Sequence, residues 1–166
     1  LWHLVARGPC RGASEGQTME GHFTIRMSSQ PDLLCVARAV VETAAKAIGF
    51  SEVQCNEVAM VINEALTNVI RHAYGGRTDQ PISLRVEPCR QKGRDGIQII
   101  LEDESTDVDL EQIEGRSLDE IRPGGLGVHI IRELMDEVQY THRNNGIGVC
   151  LRMCKLLQPV HPTTTR

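Results

Sequence analysis

The stretch that decides the fold runs from Asn63 to Tyr74 and reads NEALTNVIRHAY. It lies within residues 51–74, where apolar residues recur at helical spacing. On a helix, Glu64 and Asn68 stand one turn apart on the same face. A carboxylate beside an amide oxygen can activate a hydroxyl or water and help to hold a divalent cation. An ordinary solvated helix face presents the same kind of polar stripe, so this pair alone decides nothing.

The wider pattern of this helix separates a polar arc from an apolar one. At 3.6 residues per turn the polar arc is roughly 60° wide. It contains Glu57, Glu64, Asn68 and Arg71. The opposite arc is apolar and contains Val58, Ile62, Ala65, Leu66, Val69 and Ala73. The pattern therefore predicts one buried face and one face that is free to carry chemistry.

The remaining periodicities predict elements in the order β-α-α-β-β-α-β-β. Alternating residues predict strands at 21–27, 82–86, 97–101, 138–142 and 147–153, with a polar turn at 88–96. Helical spacing predicts helices at 33–48, 51–74 and 128–137. A turn signal at residues 144–146, Asn-Asn-Gly, predicts a final hairpin. We predict an α+β fold, a two-layer sandwich with helices on one face of a mostly antiparallel sheet.

Length and composition exclude several classes of protein. The 166 residues suit one domain, expected at 19–157 between a flexible leader at 1–18 and a flexible tail at 158–166. The net charge of −4 and the lack of a basic cluster argue against nucleic-acid binding. No apolar stretch is long enough to span a membrane. The six scattered cysteines indicate reduced thiols in a cytoplasmic protein and no zinc site.

Two later stretches could complete a site with the polar arc. Asp103 directly follows the predicted strand 97–101, and a carboxylate at a strand end is an acceptor on a rigid element. Residues 122–128 read RPGGLGV and open the third helix. Glycines let a backbone approach a phosphate, and free N–H groups at a helix N-terminus attract anions. An acidic loop and a glycine turn would explain either stretch by itself.

Taken together, these stretches resemble the GHKL ATPase superfamily, and most closely its branch of anti-sigma factor serine/threonine kinases. The pattern from Glu64 to Tyr74 resembles the N box, and Gly125-Leu126-Gly127 resembles the second glycine box. The resemblance covers about residues 20–155, with the motifs in the family's order. It implies a Bergerat, or histidine-kinase-like ATPase, fold that binds ATP and Mg²⁺. It also implies transfer of the γ-phosphoryl group to a Ser or Thr of a STAS-type anti-sigma factor antagonist.

The resemblance also implies roles for individual residues. Glu64 would be the general base toward the substrate hydroxyl, Asn68 the protein ligand of Mg²⁺, and Asp103 the acceptor of the adenine amino group. Phosphate contacts would come from the glycine-box segment Gly125, Leu126 and Gly127, with Arg71 also at the nucleotide. A lid arginine, Arg122 or Arg116, would neutralise γ-phosphate charge. Members of this branch bind a sigma factor and form homodimers, so both partners are expected here.

The chain departs from the family pattern at the adenine end. Ser105 stands where the family has the glycine of Asp-x-Gly, and Ile147 stands where it has a threonine after the hairpin glycine. Three alternatives therefore remain open at the level of sequence. They are a nucleotide-binding switch without kinase activity, the ATPase domain of a histidine kinase, and a domain that has lost ATP binding.

Overall fold

The computed structural model describes residues 3–7, 21–106, 126–143 and 146–158. Its strands are β1 (His3–Arg7), β2 (His22–Ser28), β3 (Pro81–Gln91), β4 (Arg94–Asp103), β5 (Glu137–His142) and β6 (Val149–Leu156). Its helices are α1 (Leu34–Ile48), α2 (Glu52–Asn68) and α3 (Leu126–Leu134). A 3₁₀ turn, Pro31–Leu33, precedes α1, and a π-helical turn, Val69–Ala73, follows α2.

The strands form one sheet in the order β1-β2-β3-β4-β6-β5, and every neighbouring pair is antiparallel. Alternate residues of the central strands are buried on one face, including Leu84 on β3, Ile99 on β4 and Met153 on β6. They share a core with the inner residues of the helices, among them Val41, Ile62 and Ile131. The predicted α+β sandwich with helices on one face is confirmed.

Local chemistry sets the limits of α1 and α2. Gly49 ends α1 with φ of 107°, a left-handed conformation in which glycine meets no Cβ penalty. Ser51 then caps α2, because its hydroxyl accepts the Gln54 N–H while the Gln54 side chain accepts the Ser51 N–H, both at 3.3 Å. The predicted second helix, 51–74, thus begins as expected. Its last turn differs, since the chain widens from α to π geometry at Val69–Ala73.

The hairpin between β3 and β4 is longer than the sequence pattern predicts, so the expected turn at 88–96 is wrong. Only Lys92 and Gly93 form the turn, with φ of 52° and 78°, as a two-residue hairpin turn requires. Pro88 does not interrupt β3 because the pairing of β3 with β2 ends at Val86. Its missing N–H therefore leaves no gap in that ladder.

The segment expected to be a leader contains a strand. β1 pairs with β2, from His3 opposite Arg26 to Arg7 opposite His22. These residues show no alternating pattern, so the sequence does not predict this edge strand. The rest of the leader, residues 1–2 and 8–18, lies outside the described residues, as does the tail beyond residue 158.

The cysteines agree with the expectation of reduced thiols. Cys35, Cys55, Cys89, Cys150 and Cys154 are all free, and Cys10 lies outside the described residues. None of the helices in the described ranges is long and apolar enough to cross a membrane.

Candidate nucleotide site

The polar arc of α2 faces the beginning of α3. Glu64 and Asn68 are half-buried, while Ala65 and Leu66 between them are buried in the core. A Cβ placed on Gly127 would lie 2.9 Å from Glu64 Oε2 and 3.3 Å from both Asn68 Oδ1 and Asn68 Nδ2. The glycine therefore lets the first turn of α3 approach the carboxylate and the amide directly. The structure thus brings together the N-box pair and the last glycine of the glycine box.

Asp103 lies at the end of β4 and is buried, with 4% of its surface exposed. Its Oδ1 accepts hydrogen bonds from the Ser105 hydroxyl at 2.5 Å, the Ser105 N–H at 2.9 Å and the Val149 N–H at 3.2 Å. The Val149 contact ties the Asp103 loop to the first residue of β6. A buried carboxylate with three donors on one oxygen has a fixed orientation, which a base-reading acceptor needs.

Two residues that the sequence reasoning did not select hold the backbone around Asp103. Gly148, with φ of 89°, packs so closely that a Cβ would overlap the Asp103 carbonyl oxygen. Arg143 donates to that same carbonyl at 3.2 Å and to Glu104 Oε1 at 3.1 Å. The sequence offered one signal for the first of them, a second glycine two residues after Gly146 in the hairpin.

Tyr74 connects the N-box segment to the Asp103 loop. Its buried hydroxyl donates to the Pro81 carbonyl at 2.5 Å and accepts the Glu104 N–H at 2.7 Å. Burial raises the pKa of Tyr74 above its usual value near 10, so the phenol stays neutral and can donate. The π-helical turn directly before Tyr74 sets its position, and such turns are frequent at functional sites.

For the other predicted site residues, the structure shows no contact with Glu64, Asn68 or Asp103, or the residues lie outside the described ranges. Arg71 and His72 are exposed on the π-helical turn, and Leu126 is the first residue of α3. The lid arginines, Arg116 and Arg122, and the glycine Gly125 lie outside the described residues. The roles of all these residues stay predictions.

Glu57, the first residue of the predicted polar arc, forms an ion pair with a lysine on β6. Its Oε2 lies 2.9 Å from Lys155 Nζ on β6, and Lys155 also donates to the Leu134 carbonyl at 2.5 Å. This contact joins α2, β6 and the C-terminal end of α3. It therefore holds the C-terminal end of α3, which lies away from Gly127, against α2 and β6.

The donor set fits a nucleotide better than a metal held by protein alone. Among the described residues no group of three or more His, Cys, Asp or Glu side chains could hold a metal ion. A magnesium ion at Asn68 would therefore take most of its ligands from phosphate oxygens and water, which is how Mg²⁺ usually binds in nucleotide sites. The space left by the absent side chain at Gly127 lies directly beside Asn68.

Comparison with known proteins identifies the family. A family model described as a histidine kinase-like ATPase domain matches residues 27–155. The chain belongs to this family. The resemblance that the three sequence stretches carry is thereby confirmed, and so is an ATP-binding class of domain.

Two similar proteins carry the same name. Serine-protein kinase RsbW of Oceanobacillus iheyensis is 27% identical over 144 residues, which cover 82% of this chain and 87% of the relative. Serine-protein kinase RsbW of Bacillus subtilis is 25% identical over 144 residues, covering 82% and 86%. A chain in the solved SiaB–SiaC complex from Pseudomonas aeruginosa aligns with a TM-score of 0.59 at 12% identity, covering 79% of this chain and 87% of that one. The last comparison supports the fold alone.

Proposed function

We propose that this protein is an ATP-dependent protein serine/threonine kinase that phosphorylates a STAS-type anti-sigma factor antagonist. The observation that carries the proposal is the approach of Gly127 to Glu64 and Asn68, with Asp103 buried in the same fold. The similar proteins named serine-protein kinase RsbW support the same activity. As an anti-sigma factor it would also sequester a sigma factor, act in the cytoplasm and form a homodimer.

In this proposal the two ends of the site have separate tasks. Asp103 accepts a hydrogen bond from the adenine amino group. The N–H groups at the start of α3 face the phosphates, because Gly127 has no side chain to keep them away. Arg71 and, from the lid, Arg122 would contribute positive charge toward the phosphates. Gly125 and Leu126 would extend the same backbone cradle.

Glu64 would take the proton from the attacking hydroxyl. The hydroxyl oxygen forms a bond to the γ-phosphorus, the bond from that phosphorus to the bridging oxygen breaks, and ADP leaves. Asn68 would hold Mg²⁺, which when bound neutralises charge on the phosphate oxygens. The carboxylate and the amide are one helical turn apart, so α2 presents the base and the metal ligand as one rigid unit.

The proposal is tested by incubating the full chain with Mg-ATP and small STAS-type proteins from the same genome. We expect phosphoserine or phosphothreonine on one of them, detected by mass spectrometry. Calorimetric binding of ATP without phosphate transfer to any antagonist would replace the kinase by a nucleotide-dependent interaction switch. Transfer to a histidine would indicate the histidine-kinase alternative.

The nucleotide end of the site has its own test. Asp103→Asn replaces one acceptor oxygen by a donor, so ATP affinity should fall by at least about tenfold, the worth of one hydrogen bond to a charged group. Asp95→Asn, the same change at an aspartate of β4 whose pair with Arg90 is exposed, is the control for altered charge on the same strand. Failure of both the parent and Asp103→Asn to bind ATP would support a domain that has lost its nucleotide.

A further inference from the structure

Two cysteines from strands that are not neighbours meet on the face of the sheet opposite the helices. Cys89 lies on β3 and Cys154 on β6, with β4 between them. Both are free thiols, and their Sγ atoms are 3.3 Å apart. At this distance one S–H donates a hydrogen bond to the other sulfur. The proposed nucleotide site lies in the helix layer on the other face, so this pair has no part in it.

A glycine on the intervening strand gives the two thiols access to each other. Gly96 pairs with Cys89 on one side and with Leu156 on the other, and it is buried. A Cβ on Gly96 would overlap the Lys155 carbonyl oxygen and would lie 2.9 Å from Leu156 Cδ2. Because β4 has no side chain at this position, Cys89 and Cys154 can make contact across it.

The sheet also curves toward this face at the same end. Gln91 Nε2 on β3 donates to Glu137 Oε2 on β5 at 3.2 Å, although β4 and β6 lie between those two strands. Neighbouring strands are about 4.8 Å apart, so a flat sheet would separate β3 from β5 by roughly 14 Å. Glu137 pairs with Cys154, and Gln91 is two residues from Cys89. The curvature that joins Gln91 to Glu137 therefore also brings the two thiols together.

The two thiols differ in their access to solvent and in their acidity. Cys89 is half-buried, while Cys154 is 2% exposed. The hydrogen bond between them lowers the pKa of the Cys89 thiol below its ordinary value and raises the pKa of the Cys154 thiol. The thiolate is the nucleophilic form of cysteine. Cys89 is therefore the thiol that a small oxidant can reach and that can attack it, and Cys154 is the protonated thiol held beside it.

We propose that Cys89 and Cys154 are a modification site, a thiol pair that a peroxide converts into an intramolecular disulfide. The Cys89 thiolate attacks one oxygen of hydrogen peroxide, the O–O bond breaks, and the departing hydroxide takes up a proton to become water. Cys154 Sγ then attacks the sulfur of the sulfenic acid at Cys89, the S–O bond breaks, and a second water leaves with the Cys154 proton. The two thiols lose two electrons in total, which the peroxide gains. The sulfurs approach from 3.3 Å to about 2 Å, the length of a disulfide bond.

The test is treatment of the reduced full chain with hydrogen peroxide, followed by alkylation of the remaining thiols, digestion with trypsin without reductant and mass spectrometry. Cleavage after Arg152 separates Cys150 from Cys154, so each thiol can be assigned to its own peptide. We expect a cross-linked pair of peptides that joins Cys89 to Cys154, two hydrogens lighter than the separate peptides, and its release by dithiothreitol. Cys35→Ser removes an exposed thiol from α1 and should leave the cross-link unchanged.

Two variants separate the steps of the reaction. Cys154→Ser should prevent the cross-link and leave a sulfenic acid at Cys89 that dimedone captures, and Cys89→Ser should leave the buried Cys154 unreacted. If Cys154→Ser fails to fold, the half-buried Cys89→Ser must still abolish the cross-link. In urea the native contact is lost, so peroxide should join the cysteines without this preference.

Three results would overturn the proposal. The first is a parent protein in which peroxide leaves both thiols open to alkylation. The second is a cross-link from Cys89 to any cysteine other than Cys154 as the main product. The third is a preference for the pair of Cys89 and Cys154 that survives in urea, because the folded contact would then not be its cause.

Discussion

Gly127→Ala is the change whose consequence can be worked most directly from the structure. The new Cβ would lie 2.9 Å from Glu64 Oε2, about 0.5 Å inside the 3.4 Å at which ordinary contact begins. The Asn68 amide, at 3.3 Å, is almost at that limit. The atom that must move is the end of a flexible side chain, so the collision should displace the carboxylate and leave the backbone in place.

The expected result is a separation of stability from activity. Alanine in a helix is favoured over glycine by up to about 1 kcal/mol, so the free energy of unfolding should stay within about that amount of the parent value. Misplacing a catalytic group by even a fraction of an ångström to 1 Å can cost on the order of 10–100-fold in rate. We therefore expect phosphate transfer to slow by about 10–100-fold while the protein remains folded.

The assay is single-turnover transfer from labelled ATP to a bound antagonist, with thermal unfolding measured on the same samples. The control is the same change in a Glu64→Ala background, where the colliding carboxylate is absent. Transfer is not compared in that background, because Glu64 is itself the proposed base. In thermal unfolding, Gly127→Ala should show the gain from helix propensity there, and the difference in the free energy of unfolding between the two backgrounds gives the coupling of the two residues. A transfer rate within twofold of the parent value would contradict this prediction, because Gly127 would then have no part in placing Glu64.

Two further predictions concern contacts that hold the site in shape. Tyr74→Phe leaves two backbone groups without their partner and should lower the free energy of unfolding by about 1–3 kcal/mol in denaturant titrations. Burial raises the pKa of Tyr74 above its ordinary value near 10. The neutral phenol therefore contributes fully to the free energy of unfolding below pH 10, and this contribution is lost as the pH rises through the folded-state pKa. Above pH 10 the parent protein should lose stability more steeply than Tyr74→Phe. Lys155→Met removes a nearly buried ammonium with two partners and should cost about 1–3 kcal/mol, whereas Lys46→Met, on an exposed pair, should change thermal unfolding little.

The sequence predicts most of the fold because its signals are local. Helical periodicity and the Ser51 cap located α2, and alternation located the central strands. The turn predicted at residues 88–96 is wrong because a proline such as Pro88 usually interrupts a strand. Its compatibility with β3 depends on where the neighbouring strand ends, which is a property of the sheet and not of the segment. The strand His3–Arg7 is stabilised by its pairing with β2. Its own residue pattern does not predict a strand.

In the candidate site too, features set by local sequence could be predicted and features set by long-range contacts could not. Glu64 and Asn68 could be selected from their helical spacing, and Asp103 and Gly127 from the resemblance to the GHKL motifs. The structure places Gly127 against the first two. Long-range contacts could not be predicted. The Tyr74 hydroxyl reaches Glu104 across 30 residues, and Arg143 reaches the Asp103 carbonyl across 40. Ser105 looked like a departure from the family pattern, yet its hydroxyl is part of what holds Asp103.

Whether Glu64 is the general base is decided by the rate of γ-phosphate transfer by Glu64→Gln, compared with Glu52→Gln on the exposed first turn of the same helix. We expect both variants to bind ATP as the parent protein does. Transfer should fall by at least about 100-fold in Glu64→Gln alone, as expected when a general base is removed. Equal transfer rates in the two variants would contradict the assignment of Glu64 as the base and, with it, the catalytic role of the polar arc on α2.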